Sequence, residues 1–213
     1  VIGMFFFGWA VLCEKFAVGN VCYALIGAAI PLMISGGFHV DGYMDTMDAF
    51  HSYQSREKKL EILKDSHIGA FAAIMLALYY MIDIAAISEI HTQKAVSAVA
   101  AVFFLARCFS GIAVMTLQPA KKEGLLYTFA SSAQKVRVKA ALYFQTVLCV
   151  VLMLLVSGWY GAAAIGAALL SFFYFKKKSY KELGGITGDT AGFFVTVCEA
   201  AAAAAVAVAG YFL

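Results

Sequence analysis

The chain has 213 residues, a net charge of +3, a mean hydropathy of +0.84 and a charged fraction of only 14%. Because soluble domains carry about 25% charged residues, this composition excludes a soluble globular protein. Several continuous apolar runs reach the ~20 residues that cross a bilayer, which predicts an all-α, polytopic transmembrane bundle rather than a β-barrel of short alternating segments. The net charge is too small to indicate a nucleic-acid partner.

About seven membrane spans are predicted, all within a single integral membrane domain over residues 1–213. Pro31 should kink the second span, and Gly36 and Gly37 should end it. The first residue, Val1, already lies in an apolar run, so we expect a truncated or processed N-terminus. The predicted spans are 1–12, 21–37, 69–88, 95–117, 140–157, 159–175 and 190–213.

Lysine and arginine are concentrated in three of the connecting loops. Residues 38–68, 118–139 and 176–189 hold thirteen of the sixteen basic side chains. By the positive-inside rule these loops face the cytoplasm, and strict alternation through seven spans places them on that same side. We therefore predict that polar motifs within these loops face the cytoplasm.

Residues 36–69 form a polar segment with a dense group of carboxylates, which we predict to be catalytic. Asp41, Asp45 and Asp48 are spaced by four and three residues, which places them within about 60° of one another on a helix. Carboxylates this close repel one another unless a cation lies between them, and oxygen ligands favour a hard cation such as Mg²⁺. On spacing alone, a solvated acidic loop between two membrane helices also remains open.

Residues 184–190 form a second candidate active-site loop, directly before the last predicted span. Its three glycines, Gly184, Gly185 and Gly188, allow the backbone to approach a ligand closely. Thr187 or Asp189 could cap the helix that follows. Asp189 could instead be a further metal ligand opposite the first cluster, and the spacing does not decide between these roles.

Three ionisable residues fall inside predicted spans. Arg107 and Glu199 each lie ten residues from the cytoplasmic end of their span, about 15 Å deep at ~1.5 Å per residue. Buried charges at equal depth predict either an ion pair between these two spans or the floor of a polar cavity. Asp83 lies near the outer end of its span and is predicted to be interfacial.

Taken together, the polar motifs resemble those of the cobalamin synthase family, the adenosylcobinamide-GDP ribazoletransferases. The resemblance rests on GGFHVDGYMDTMD at 36–48, KDSHIG at 64–69 and GGITGD at 184–189, in matching order and spacing. The basic-x-Gly element KKEGL at 121–125 also agrees. His67 stands where many members have arginine, so no guanidinium clamp on phosphate is expected there.

The resemblance implies a late step of vitamin B12 biosynthesis in which adenosylcobinamide-GDP is joined to α-ribazole or its 5′-phosphate. GMP is released and Mg²⁺ is required. Such a phosphoryl transfer is catalysed mainly by positioning and by neutralising developing charge.

The resemblance also implies roles for individual residues. His39 or one of the aspartates would accept the proton of the attacking hydroxyl, and these alternatives stay open. Asp41, Asp45 and Asp48 would hold Mg²⁺, with Asp65 and Asp189 as further candidate ligands. The predicted substrate-binding residues are Lys64, Ser66, His67, Gly185, Thr187, Gly188 and Arg107.

The partners and location that the resemblance implies are those of a multi-pass enzyme of a bacterial or archaeal inner membrane. Its substrates are the corrinoid-GDP and α-ribazole, its surroundings are membrane lipid, and nucleic acid is not a partner. A homo-oligomer, or contact with other enzymes of corrinoid synthesis, is also expected.

Two other functions would explain carboxylates beside a membrane helix. A CDP-alcohol phosphotransferase of lipid synthesis also carries several aspartates, but their usual spacing differs from that of residues 41–48. A cation transporter would use carboxylates along a polar pathway, although no pair of broken helices is predicted in matching halves of the chain. Transport predicts ion flux without a nucleotide, whereas the transferase predicts GMP release.

Overall fold

The computed structural model describes residues 1–121 and 135–212, with only the backbone described at Lys135. The predicted KKEGL element therefore lies largely outside the described residues. In the described ranges the chain is all-helical, as predicted, with one isolated β-bridge. The helices are α1 (Ile2–Lys15), α2 (Asn20–Ser35), α3 (Phe38–His51), α4 (Arg56–Ile62), α5 (Ala70–Ile87), α6 (Gln93–Thr116), α7 (Lys135–Ser157), α8 (Trp159–Leu183) and α9 (Gly188–Gly210).

Two glycines separate α2 from α3 and set the angle between them. Gly36 (φ 66°) ends α2 in the left-handed region, and Gly37 (φ 82°) continues in that region before α3 begins. Residues with a Cβ rarely adopt this conformation, so the glycines allow the chain to turn sharply here. The two helices meet at 96°, and the acidic residues therefore lie on a helix that leaves the direction of α2.

Within residues 1–121 and 135–212, four helices are long and apolar enough to cross a membrane, and α2 with α3 would add a fifth as one broken span. The predicted count of seven is not confirmed. Helices α1 and α2 have 14 and 16 residues, which is short for a ~30 Å hydrocarbon layer at 1.5 Å per residue. Helix α8 is longer but less apolar, because lysines occupy its final turns. These four candidate spans are Ala70–Ile87, Gln93–Thr116, Val136–Ser157 and Gly188–Gly210.

Helix α9 lies at the centre of the bundle, against α3, α5, α6 and α8. Its alanine-rich second half, including the buried Ala202 and Ala203, presents small side chains that let neighbouring helices approach closely. Its first half is filled by aromatic packing, in which Phe194 lies 5.2 Å from Phe175 of α8, between ring centroids. These contacts hold the N-terminal half of α9 in place within the bundle.

Parts of all three basic loops meet at one end of the bundle. The Ala120 N–H donates to the Ile186 carbonyl at 2.8 Å, and the Ile186 N–H donates to the Gln118 carbonyl at 3.0 Å. The Lys121 ammonium donates to the Leu60 carbonyl of α4 at 2.9 Å. The described parts of the three loops therefore lie on a common side, as the charge distribution predicted.

Candidate active site

The three aspartates of the first motif lie on α3, a helix with two distinct faces. Asp41 is exposed, and Asp45 and Asp48 are half-buried. The opposite face packs into the bundle, where the Tyr43 ring stacks on Phe193 of α9 with centroids 5.9 Å apart. The apolar face holds α3 in place, so the carboxylates remain at the edge of the bundle.

The start of α9 is held directly against α3 by two glycines. A Cβ on Gly42 would lie 2.8 Å from the Asp189 carbonyl oxygen, and a Cβ on Gly192 would lie 3.2 Å from the His39 carbonyl oxygen. The Thr196 hydroxyl also donates to the His39 carbonyl at 3.1 Å. Only glycine allows the backbones to approach so closely, and this crossing brings Asp189 to the α3 carboxylates.

Thr187, and not Asp189, caps α9. The Thr187 hydroxyl accepts from the Thr190 N–H at 3.1 Å, and the Thr190 hydroxyl accepts from the Thr187 N–H at 2.8 Å. The Thr187 hydroxyl donates in turn to the Asp189 carboxylate at 3.3 Å. The capping box pairs Thr187 with Thr190, while the Asp189 carboxylate bonds its own backbone N–H and the Thr187 hydroxyl and keeps further lone pairs for a ligand.

The carboxylates of α3 and α9 form one electrostatic group. Asp45 experiences repulsion from Asp41, Asp189 and Asp48. Asp189 experiences repulsion from Asp41 and attraction from Lys121, which lies in the loop after α6. A concentration of negative charge of this kind favours a bound cation.

Asp48 has a structural role that its spacing did not reveal. Its carboxylate accepts the Gly69 N–H at 2.7 Å and the Ala72 N–H at 2.8 Å, so it caps the first turn of α5 from another helix. A Cβ at position 69 would lie 2.5 Å from the Asp48 carboxylate, which explains the glycine there. Asp48 thus fixes α5 relative to α3.

Lys64, Asp65, Ser66 and His67 are exposed in the loop between α4 and α5. The Asp65 carboxylate accepts from the His67 N–H at 3.1 Å and lies 2.6 Å from the His67 Nδ1. The hydrogen bond from the His67 ring is the largest cause of the lowered pKa of Asp65. The contacts of Asp65 are therefore local, and no contact of Asp65 with the α3 carboxylates occurs in the described part of the chain.

The three glycines of the second motif differ in their surroundings. Gly184 (φ 72°) ends α8 in the left-handed region. Gly185 packs on the loop after α6, where an added Cβ would lie 2.6 Å from the Gln118 carbonyl oxygen. Gly188 has open space at the first position of α9, so it is the one of the three with room for a neighbouring ligand.

A buried ion pair beside the site was not predicted. The Lys59 ammonium of α4 contacts the Glu182 carboxylate of α8 at 2.5 Å, and Lys178 contacts the same carboxylate at 3.2 Å. The hydrogen bond from Lys59 is the largest cause of the lowered pKa of Glu182, and the contact with Lys178 lowers it further. The pair holds α4, and with it the start of the 64–69 loop, against α8. In the sequence, the single Glu182 directly after the lysines at 176–181 could have indicated this ion pair.

The predicted pairing of Arg107 with Glu199 is confirmed, because the guanidinium donates to the Glu199 carboxylate across α6 and α9. Arg107 and His39 also line a cavity of about 1020 Å³ beside α1. Asp41 lines a separate groove of about 560 Å³ between α2, α3 and α5. The prediction of an interfacial Asp83 is wrong, since this residue is buried inside the bundle near Glu199.

Within residues 1–121 and 135–212, no three His, Cys, Asp or Glu side chains are arranged to enclose a metal ion. The donors at the crossing of α3 and α9 nevertheless suit Mg²⁺, which is commonly held by one or two carboxylates and completed by water and phosphate oxygens. Asp41, Asp45 and Asp189 provide hard oxygen atoms close to solvent. They fit an ion that shares its ligands with a substrate.

Comparison with known proteins identifies a family match over nearly the whole chain. The family model described as cobalamin-5-phosphate synthase matches residues 1–207. An adenosylcobinamide-GDP ribazoletransferase of Lachnoclostridium phytofermentans is 42% identical over 209 residues, which cover 98% of this chain and 80% of the relative. One from Clostridium botulinum strain Eklund 17B is 32% identical, over 93% of this chain and 79% of the relative. No solved structure matches the chain significantly.

Proposed function

The chain belongs to the cobalamin-5-phosphate synthase family, and we propose that the crossing of α3 and α9 is where it performs that family's reaction. The chain is a membrane transferase of late cobalamin biosynthesis, which joins adenosylcobinamide-GDP to α-ribazole or its 5′-phosphate and releases GMP. Family membership sets aside the lipid phosphotransferase and the cation transporter. The observation that carries the proposal is the contact of Gly42 with the Asp189 backbone. This contact brings two acidic motifs that are distant in sequence close together in space.

In this proposal, Asp41, Asp45 and Asp189 hold Mg²⁺ together with the diphosphate of the corrinoid substrate. The bound ion supplies neutralisation of the negative charge on the diphosphate as the transfer proceeds. Asp48 contributes by position, because it caps α5 and fixes the helix that follows the 64–69 loop. Asp65 remains a candidate further ligand, although its described contacts are local.

The reaction requires a nucleophile, a leaving group and a destination for one proton. The ribazole hydroxyl forms a bond to the corrinoid-linked phosphorus, the bond from that phosphorus to the bridging oxygen breaks, and GMP leaves with the electron pair. The hydroxyl proton passes to a base of the protein. We assign this role to a carboxylate of α3, because Asp41 lines the groove at the acidic site whereas His39 lines the cavity beside α1.

Exposed side chains next to the acidic group would orient the phosphates and the nucleophile. Lys64, Ser66 and His67 lie in a loop anchored at Gly69 by Asp48 and through α4 by the Lys59–Glu182 pair. Gly188 supplies open space at the start of α9, and Thr187 positions Asp189. Gly185 packs against the loop after α6, and Arg107 forms an ion pair with Glu199. We therefore expect both residues to support the site without contacting the substrate.

We further propose the inner membrane of a bacterial or archaeal cell as the location, with the acidic site facing the cytoplasm. The support is the meeting of three basic loops at the end of the bundle that holds the site. Exposed apolar side chains on α5 and α7, such as Leu78 and Leu155, provide a surface for lipid. The same surfaces are available to a second copy or to another enzyme of corrinoid synthesis.

The proposal is tested by GMP release from the purified full-length chain in detergent. Release should require adenosylcobinamide-GDP, α-ribazole and Mg²⁺ together, and EDTA should abolish it. Restoring Mg²⁺ after EDTA should recover the rate, which separates metal dependence from denaturation. Release that continues unchanged in EDTA would contradict the metal assignment, and no release from folded protein would contradict the catalytic proposal.

A further inference from the structure

A carboxamide side chain lies on the exposed surface of α7, far from the acidic site. Gln145 is exposed and sits near the midpoint of the candidate span Val136–Ser157. At ~1.5 Å per residue it lies about 14 Å from the start of that span, in the middle of a hydrocarbon layer ~30 Å thick. Lipid tails offer no hydrogen bonds at this depth, so the N–H and C=O groups of the amide need a partner from protein.

The neighbouring polar side chains of α7 find their partners within the chain. The Thr146 hydroxyl donates to the Leu142 carbonyl of the same helix at 2.8 Å. The Cys149 thiol donates to the Ala101 carbonyl of α6 at 3.8 Å. The Gln145 amide, in contrast, makes no hydrogen bond to any residue in the described part of the chain. The fold therefore leaves a polar group at the centre of a lipid-facing surface.

Gln145 belongs to a row of exposed side chains that differs from the face packed into the bundle. Cys149 and Met153 are buried against the neighbouring helices. The exposed row advances by alternating steps of four and three residues, which is the spacing of a seam between two helices, and one polar residue in such a seam fixes its register. Its members are Ala141, Gln145, Leu148, Leu152 and Leu155.

A groove beside this row offers room for side chains of another helix. It measures about 300 Å³, lies between α6 and α7, and contains Gln145 in its wall. Elsewhere on α7 the exposed side chains, such as Phe144 and Val147, are apolar and are satisfied by lipid. The amide is what distinguishes the groove face as a protein contact. The other lining residues include Ser97, Ala101 and Phe104 of α6 and Leu148 and Leu152 of α7.

We propose that two copies of the chain associate through this face, with their Gln145 amides hydrogen-bonded to each other across a two-fold axis. Copies inserted in the same orientation present Gln145 at the same depth, so the symmetry of a dimer brings the two amides together. A carboxamide has both donor and acceptor groups, and each copy can therefore satisfy the other. Any other partner would need its own polar group at that depth. This dimer does not depend on the proposed transferase reaction.

Disulfide cross-linking in native membranes tests the contact without substrate. In a Cys22→Ser background, the remaining native cysteines are buried. Gln145→Cys oxidised with copper phenanthroline should run mainly as a cross-linked dimer. Val147→Cys is the matched control, because position 147 is also exposed and lies only two residues along, on a different face of α7. Equal cross-linking at both positions, or none at position 145, would overturn the proposal.

The amide itself is tested by dimerisation in liposomes. Chains labelled at the exposed Cys22 with donor or acceptor dyes report association by energy transfer as the protein-to-lipid ratio is varied. Gln145→Leu should raise the dimer dissociation constant about five- to thirtyfold, which is what the loss of such a polar contact costs between membrane helices. Gln145→Asn should retain part of the affinity, and Val147→Leu should retain all of it.

Unfolding midpoints of the same samples check that the variants fold, which we expect because each change lies on a lipid-facing surface. A chain that stays monomeric at every protein-to-lipid ratio would overturn the proposal, with lipid then filling the groove. A dimer whose dissociation constant is the same in Gln145→Leu as in the unmodified chain would also overturn it, because the contact would then lie on another face.

Discussion

Asp41 and Asp48 have the same side chain on the same helix, but their surroundings give them different functions. Asp41 is exposed and lies in a group of like charges, without a described hydrogen bond to its carboxylate. Asp48 accepts two backbone N–H groups at the start of α5. The first carboxylate is therefore available to a cation, whereas the second is needed for the fold.

These contacts predict opposite effects on stability. Asp48→Asn should lower the free energy of unfolding by about 1–3 kcal/mol, because the amide cannot accept both N–H groups. Asp41→Asn should leave stability unchanged or raise it, because it removes repulsion from Asp45. Unfolding by denaturant in detergent micelles compares the two. Equal destabilisation by both variants would show that the capping role of Asp48 has been misassigned.

Single residues were predictable from sequence where depth alone decided their contacts. Arg107 and Glu199 lie equally deep in their spans, which gave the observed ion pair as one of two alternatives, the other being the floor of a polar cavity. Asp83 was placed wrongly because sequence gives its depth but not the rotation of α5 about its axis. That rotation directs Asp83 toward Glu199, into the interior.

At the scale of elements, the site depends on the close crossing of α3 and α9. Gly42 and Gly192 form this crossing, and each faces backbone atoms of the other helix. The sequence indicated that Gly36 and Gly37 would end α2, and they do. The 96° turn, and therefore the contact partner of α3, could not be predicted, because it depends on packing between residues far apart in sequence.

A methyl group at the crossing should separate the two acidic motifs. In Gly42→Ala the new Cβ would lie 2.8 Å from the Asp189 carbonyl oxygen, so α9 must move. We expect at least about a tenfold loss of GMP release, since small displacements of catalytic groups are costly. The unfolding midpoint should also fall.

The matched control is Gly166→Ala, in the interior of α8, where the added Cβ meets open space. Alanine is the better helix former by about 1 kcal/mol, so this variant should keep full activity and gain stability. If Gly42→Ala behaved like Gly166→Ala, the close contact of α3 with α9 would not be essential for activity.

At the scale of the whole molecule, composition correctly predicted an all-helical membrane protein, whereas the predicted count of seven spans is not confirmed. Among the described helices, α1 and α2 are short for a span, and α8 is long enough but less apolar because of its final lysines. The described parts of the basic loops do meet at one end, because the backbone of residues 118–120 pairs with Ile186 and α4 binds α8.

The orientation of this end can be measured by cysteine labelling. In a Cys22→Ser background the remaining four cysteines are all buried, so an introduced cysteine provides the signal. A membrane-impermeant maleimide should label Glu61→Cys in inside-out vesicles and His91→Cys in right-side-out vesicles, since these exposed positions lie toward opposite ends of the bundle. The reverse pattern would place the acidic site outside the cytoplasm.

The central claim is that Asp45 of α3 and Asp189 of α9 act in one catalytic site. It is tested most directly by single-turnover GMP release from Asp45→Asn and Asp189→Asn, with unfolding midpoints measured on the same samples. Both variants should fold and lose about a thousandfold in rate at saturating substrate, because each removes charge that stabilises the transferring phosphate. If either variant folds normally and keeps a rate within tenfold of the unmodified chain, the two motifs do not share the reaction and the account is wrong.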